Sequence, residues 1–349
     1  MGNIDRAVVI AGGCGKRLWP WAGPSLPKPL LPLGGGGRTL LAATIDRISR
    51  LIPIEAVRVQ SPSALGETLL AAESRLSRRS LWSEPSARDT APAIALAMRR
   101  LLDEQPDAIC AVLPADHRVE RADLFCEALQ LAAEAAELDR LDVLGVRPDQ
   151  PSSQFGHLES GEHEPGLPER ACAVARFVEK PDAEHARRLF DSGRYLWNAG
   201  IFVWRAAAFW DQLERRAPQV ARPVDDFVRD GSQARWEKAE KTSIDYALME
   251  KAHNVAMVPL AAGWDDIGGW ETVSRLVDRG DAGPVVRLPV AGGADAASEV
   301  LWVCTEQGPP GPAPERAIAV PDTPSLVVVG PGGVLVTPHG ASARAKPFA

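Results

Sequence analysis

Between the N-terminus and about residue 150, short apolar runs alternate with amphipathic stretches, and that alternation limits the fold more than any other feature of the chain. Apolar runs at Ala7–Ala11, Ala56–Gln60, Ala108–Leu113 and Asp142–Gly145 read as strands; helical periodicity covers Leu40–Leu51, Ala91–Leu102 and Leu124–Leu138. Strands alternating with helices predict an α/β, Rossmann-like domain: a mostly parallel sheet covered by helices. Further on, residues 151–170 are polar and rich in Gly and Pro, and read as a surface excursion. Strands are expected at Ala173–Val178 and Gly200–Trp204, with helices at Ala183–Ser192, from Ala206 and at Ile244–Ala252. After residue 280 the chain turns to short β-prone pieces, Val300–Cys304, Ala317–Val320, Leu326–Val329 and Val334–Thr337, interrupted by the Gly308–Pro314 loop. This divides the chain into a domain at 1–280 and a small β-rich domain at 281–349.

In an open sheet of this kind ligands gather beyond the carboxyl ends of the strands, so the residues just after each apolar run carry the argument about function. The first run empties into Gly12, Gly13, Cys14 and Gly15, followed by Lys16 and Arg17. Glycines let backbone N–H groups approach an anion, and the cations behind them neutralise it, which is how a phosphate cradle is built. The loop is neither a Walker motif, since Arg17 follows Lys16, nor a complete G-x-G-x-x-G, since Leu18 holds the last position. Asp116 follows the third apolar run, and a second acidic pair, Asp265-Asp266, follows the run Val255–Ala262. Two carboxylates brought together suit Mg²⁺, which takes hard oxygens from one or two carboxylates and from phosphates; each Asp alone also suits a cap or turn. Glu179 and Lys180 end an apolar run that Pro181 stops, and Asn198 lies in Trp197–Gly200; a solvated strand end and an Asx turn remain open for them.

With Lys+Arg 39 against Asp+Glu 46, the net charge is −7, which speaks against nucleic acid or an anionic membrane as partner. No apolar stretch reaches the roughly 18 residues of a membrane span, and the start of the chain lacks the pattern of a secretory leader, so a cytoplasmic location is expected. The 5 cysteines are scattered, without a C-x-x-C pair, as expected of reduced thiols rather than a zinc site.

Read in order, Gly12–Pro20 (GGCGKRLWP), Leu26–Leu33 (LPKPLLPL), Glu84–Ala97 (EPSARDTAPAIALA), Leu113–His117 (LPADH), Phe177–Pro181 (FVEKP), Arg194–Ala206 (RYLWNAGIFVWRA), Ser243–Lys251 (SIDYALMEK) and Gly263–Trp270 (GWDDIGGW) resemble the mannose-1-phosphate guanylyltransferases. The resemblance spans about residues 7–275. It implies a Rossmann-like nucleotidyltransferase domain followed by a short left-handed β-helix-like segment, with GTP and mannose 1-phosphate as substrates and Mg²⁺ as cofactor. It implies further that Gly12, Gly13, Gly15, Lys16 and Arg17 hold the nucleotide phosphates and that Arg88 and Thr90 border the nucleotide. Lys28 would reach the reacting phosphates, and Asp116 and Asp266 would bind the metal. Gly156, Glu179, Lys180, Asn198 and Asp245 would hold the sugar phosphate; Asp245 has an equal claim as a helix N-terminal carboxylate. His117 reads as a supporting neighbour of Asp116. A homodimer is compatible with this reading, as are a different sugar 1-phosphate or nucleotide and a regulatory, non-catalytic subunit. The chain departs from the family pattern at Cys14, Ala22, Gly23, Pro29 and Asp89.

Overall fold

The structure is a computed structural model that describes residues 2–288, 299–303, 325–330, 333–338 and 341. They form two compact units. The first comprises the residues up to Gly12, Thr44–Ala115 and Val119–Trp264; the second comprises Gly13–Ala43, Asp116–Arg118 and the chain from Asp265 onward.

In chain order the elements begin with β1 (Arg6–Ile10), α1 (Leu40–Ile48), β2 (Val57–Pro62), α2 (Gly66–Ala72), β3 (Leu81–Glu84), α3 (Thr90–Glu104) and β4 (Ile109–Pro114). There follow β5 (Arg118–Val119), α4 (Ala122–Ala136), β6 (Leu141–Val146), β7 (His157–Ser160), β8 (Cys172–Val178), α5 (Ala183–Asp191) and β9 (Tyr195–Arg205). Next come α6 (Ala206–Arg216), α7 (Pro218–Asp230), α8 (Gln233–Trp236), a π-helical turn at Asp245–Met249, β10 (Val255–Pro259), β11 (Trp264–Asp265) and α9 (Trp270–Asp278). The described part ends with β12 (Val285–Leu288), β13 (Glu299–Val303), β14 (Ser325–Gly330) and β15 (Gly333–Pro338).

The first unit is built on a nine-stranded sheet of order β3-β2-β1-β4-β9-β6-β10-β8-β7. Its strands share one direction except β9 and β8, so the sheet is mostly parallel as the alternation predicts. Strands β4 and β6 are buried along almost their whole length, because both faces of a parallel sheet are covered; hence their unbroken apolar runs. On one face Ile94, Leu101, Phe209, Val224 and Trp236 close a core with Val8, Val112 and Phe202.

Several elements differ from the sequence reading. Strand β7 lies inside the polar 151–170 excursion; it is 4 residues long and pairs with both β8 and β9. Strand β9 spans Tyr195–Arg205 rather than Gly200–Trp204, and α2, β3 and α7 are additional. The expected helix at Ile244–Ala252 is the π-helical turn Asp245–Met249.

The second unit has its own core. Leu18, Trp21, Ala22, Leu31 and Leu33 from the segment after β1 pack with Ile267, Trp270, Leu301, Leu326 and Leu335. Strands β12-β13-β14-β15 form a four-stranded sheet, with β13 and β14 parallel and the outer pairs antiparallel. The expected strand Ala317–Val320, the Gly308–Pro314 loop and Cys304 lie outside the described residues.

Candidate active site

Two clusters assemble most of the expected side chains, one in each unit. In the second unit Lys28 occupies a 3-10 turn, Lys28–Leu30, fixed by Pro27 before it and Pro29 within it. The residue is 7% exposed, yet it carries a charge, so it needs partners. They are the Asp116 carboxylate, 2.9 Å from Nζ, and the Asp266 carbonyl, which accepts from Nζ at 2.5 Å. Arg17 Nη2 stands 4.0 Å from Asp266 Oδ2, and His117 Nε2 4.0 Å from Asp116 Oδ1.

The backbone around this cluster leaves little slack. Gly15 has φ +70°, and a Cβ there would lie 2.7 Å from Lys28 Cβ and 2.9 Å from Ala22 Cβ, so this glycine is required by both conformation and space. Ala22, one of the departures from the family pattern, is thus a buried packing residue of this loop. Ile267 has φ +48°, a strained value for a β-branched residue that costs about 1–3 kcal/mol. Burial of its side chain, 1% exposed, offsets that cost and fixes the backbone that carries Asp266. Gly268 leaves the Asp266 carboxylate free on one side, since a Cβ there would lie 3.0 Å from Oδ1.

The two aspartates are shifted in opposite directions. Burial raises the Asp116 pKa, but Lys28 and then His117 overcome it, and the carboxyl titrates below its ordinary value. Burial also raises Asp266, and there Lys28 and Arg17 do not overcome it, because Asp265 and Asp116 add repulsion.

In the first unit the second cluster is held by strands. Asn198, on β9, donates from Nδ2 to Asp245 Oδ1 at 2.8 Å, accepts from Gly200 N at 2.7 Å, and its own N–H donates to Gly156 O at 2.8 Å. Glu179 follows β8 and accepts from Lys180 Nζ at 2.6 Å. Gly156 has no room for a side chain: a Cβ would stand 2.5 Å from Glu179 Oε2 and 3.3 Å from Asn198 Cβ. Lys180, with φ +42°, is the second strained residue in a motif. Its pKa is raised: burial lowers it, but the bond to Glu179 and the Asp245 charge outweigh that. Burial, then repulsion by Glu179, pushes Asp245 up to about 7 against Lys180 and Asn198. Asp245 opens the π-helical turn, a distortion that recurs at functional sites. Phe155 flanks this region, 4.7 Å from the Trp197 ring and 5.5 Å from Trp264.

Glu250, to which the sequence reading gave no role, also belongs here: its Oε1 accepts from Glu179 N at 2.8 Å. The signal was its place in the same motif as Asp245, since the π-helical turn closes by Glu250 N donating to Asp245 O at 2.9 Å. Arg88 and Thr90 also lie in the first unit, Thr90 against the residue that precedes Asp245. Arg88 donates to Ala239 O at 2.7 Å and Thr90 Oγ1 accepts from Ile244 N at 2.9 Å. Asp89 between them has φ +69° and ψ −177°, a region that residues other than glycine rarely adopt, and caps α3 by accepting from Thr90 N. Gly12 ends the first unit's first segment, and Lys16, in the second unit, is exposed.

Residues 6–278 match the sequence profile of the nucleotidyl transferase family. The chain belongs to that family. Members of it generally work with a divalent metal. Among curated relatives, the alginate biosynthesis protein AlgA of Pseudomonas putida is 34% identical over 292 residues, 80% of this chain and 59% of its own. A mannose-1-phosphate guanylyltransferase of Salmonella montevideo is 34% identical over 299 residues, 80% of this chain and 61% of its own. This nucleotidyl transferase thus spans about three fifths of the length of the curated relatives it matches. A Thermus thermophilus protein, solved as a mannose-1-phosphate geranyltransferase, superposes with TM-score 0.78 at 28% identity, covering 98% of this chain and 97% of that one. The family resemblance carried by the eight motifs is borne out, and so is the α/β nucleotidyltransferase fold.

Proposed function

We propose that the protein transfers GMP from GTP to mannose 1-phosphate, forming GDP-mannose and pyrophosphate. The observation that carries this reading is Lys28: an almost fully buried lysine paired with Asp116 and bonded to the backbone of Asp266, on the loop that follows the glycine-rich segment. A chain has little reason to bury that charge unless a polyanion with its counter-ion is to meet it. The names of the relatives support the choice of nucleotide and sugar.

In this reading Gly12, Gly13, Gly15, Lys16 and Arg17 take the triphosphate, with Arg88 and Thr90 beside the nucleotide. Lys28 neutralises charge on the phosphates that separate. Gly156, Glu179, Lys180, Asn198 and Asp245 hold the sugar phosphate, Lys180 as its countercharge. An oxygen of the sugar phosphate forms a bond to the α-phosphorus of GTP, the bond from that phosphorus to the bridging oxygen breaks, and pyrophosphate leaves with the electron pair. A phosphate monoester has a second pKa of about 6, so the nucleophile is ionised at pH 7 and no general base is needed. The chain's work is positioning and charge neutralisation.

The donor set fits a divalent cation. Asp116 and Asp266 offer hard carboxylate oxygens close enough to repel one another, and Gly268 leaves Asp266 uncovered on one side. Mg²⁺ held there supplies several kcal/mol of charge stabilisation to the triphosphate. The proposal includes the 1–280 catalytic domain, supported by the profile match ending at residue 278, and the β-rich 281–349 domain. It also includes a cytoplasmic location and a homodimer; the thiols of Cys14, Cys110, Cys126 and Cys172 are free, as a reducing compartment requires, and no described helix is long and apolar enough to cross a membrane. A pyrophosphate-release panel of four nucleoside triphosphates against several sugar 1-phosphates tests the reading: GTP with mannose 1-phosphate should give the highest kcat/KM. Turnover with no pair would refute it.

A further inference from the structure

Of the carboxylates in the two clusters, Asp245 has the least countercharge. Lys180 Nζ is committed to Glu179 at 2.6 Å, and Asp245 receives neutral hydrogen bonds, from Asn198 Nδ2 at 2.8 Å and from its own backbone N–H. Two carboxylates therefore share one ammonium before any ligand arrives. A sugar phosphate that engages Lys180 adds up to two more negative charges beside them. Like charges crowded in one site are relieved by protonating the carboxyl that holds its proton most easily.

We propose that Asp245 binds the sugar phosphate as a neutral carboxylic acid, its hydroxyl donating a hydrogen bond to the ligand while Asn198 holds its other oxygen. The proton comes from solvent as the ligand binds and returns to it as the product leaves. This rests on the reading of the Lys180 cluster as the seat of the sugar phosphate. Asp245 already sits at about 7, raised by burial and by Glu179, so little is needed to fill it at neutral pH. The groups that face it are Glu179 and Lys180 after β8, Asn198 on β9, and Tyr246 and Glu250 on its own turn. Helix α6, packed on that turn, brings Arg216, whose guanidinium is bonded to the Lys251 carbonyl. Neither Glu250 nor Arg216 is free to replace the proton: Glu250 accepts from Glu179 N, and Arg216 is directed to the backbone.

The test is the KM for mannose 1-phosphate, with kcat recorded alongside, from pH 6 to 9 in the wild type, Asp245→Asn and Asp245→Ala. Above pH 7 the ligand is already a dianion, so its own titration does not interfere. Wild-type KM should stay level up to about pH 7 and then rise about tenfold per pH unit. Asp245→Asn copies the shape and donor of the neutral acid and should keep the low-pH KM across the whole range, whereas Asp245→Ala should raise KM at every pH. Calorimetry on the wild type alone, in two buffers of different ionisation enthalpy at pH 8, should show proton uptake on binding. A level wild-type KM with buffer-independent heat overturns the protonated carboxyl, and so does an Asn variant as impaired as the Ala variant at pH 6. Absence of any mannose 1-phosphate binding or turnover is a different result: it removes the sugar-phosphate seat itself, and the proposal with it.

Discussion

The Lys28 cluster and the Lys180 cluster contain the same chemistry, one lysine among two acidic residues, and differ in the countercharge around them. Around Lys28 the chain supplies a second cation, Arg17, and the imidazole of His117, and Asp116 is driven below its ordinary pKa. Around Lys180 the second acidic residue has an amide for a neighbour, and Asp245 is driven up to about 7. The supports differ as well. Lys28, Asp116 and Asp266 stand on loops and short turns of the second unit, pinned by prolines and by the buried Ile267, whereas Asn198 is carried by a strand of the nine-stranded sheet. With a second cation beside it the Lys28 cluster lowers one of its carboxyls, Asp116, whereas Asp266 in that cluster and Asp245 in the other are both raised.

The comparison breaks most readily at Lys28. Replacing Lys28 by Met leaves Asp116 and Asp266 without their shared cation, and kcat should fall at least about 10²-fold in a pyrophosphate-release assay. The folded state should lose about 3–5 kcal/mol in urea unfolding, because a buried pair loses one partner. If turnover stays within a few-fold of wild type, Lys28 is structural only. Gly15→Ala is a milder probe of the same cluster. It forces a non-glycine into φ +70° and a methyl group toward Lys28, so kcat/KM should drop about tenfold with a stability loss of about 1–2 kcal/mol. Unchanged kinetics would mean that the loop relaxes without moving Lys28.

The smallest effect comes from a carboxyl that belongs to neither cluster. Asp142 on β6 is fully buried, and both its oxygens lack a hydrogen-bond partner, so burial holds its pKa well above the usual 3.8 and only Arg140 opposes. A raised folded-state pKa contributes fully below the unfolded value, and that contribution is lost as pH rises toward the folded one. Asp142→Ala should therefore gain about 1–3 kcal/mol over wild type at pH 7, with a smaller gain near pH 4 and unaltered kinetics. A variant less stable than wild type at pH 7 would indicate that Asp142 has a bound partner.

Much of both clusters was legible because their members stand at the ends of apolar runs, where a strand must deliver the next side chain to an edge. Asp116 after β4 and Glu179 after β8 are of that kind. What could not be read is set by distance along the chain. Nothing local says that Leu18 and Trp21 share a core with Leu326 and Leu335, or that Glu250 caps the backbone of Glu179. Strand β7 escaped because its 4 residues, of which His157 and Leu158 are buried, are too few to show an apolar period. The strain at Ile267 was equally invisible, since a β-branched residue at φ +48° runs against local preference and persists only because its side chain is buried.

Whether the two clusters hold different substrates is settled most directly by equilibrium binding of GTP with Mg²⁺, and separately of mannose 1-phosphate, to the wild type, Lys28→Met and Lys180→Met. The account predicts a crossed pattern: Lys28→Met loses at least about tenfold in GTP affinity and keeps mannose 1-phosphate, while Lys180→Met does the reverse. If one variant weakens both ligands equally, or if Lys180→Met weakens GTP alone, the division of labour between the clusters is wrong.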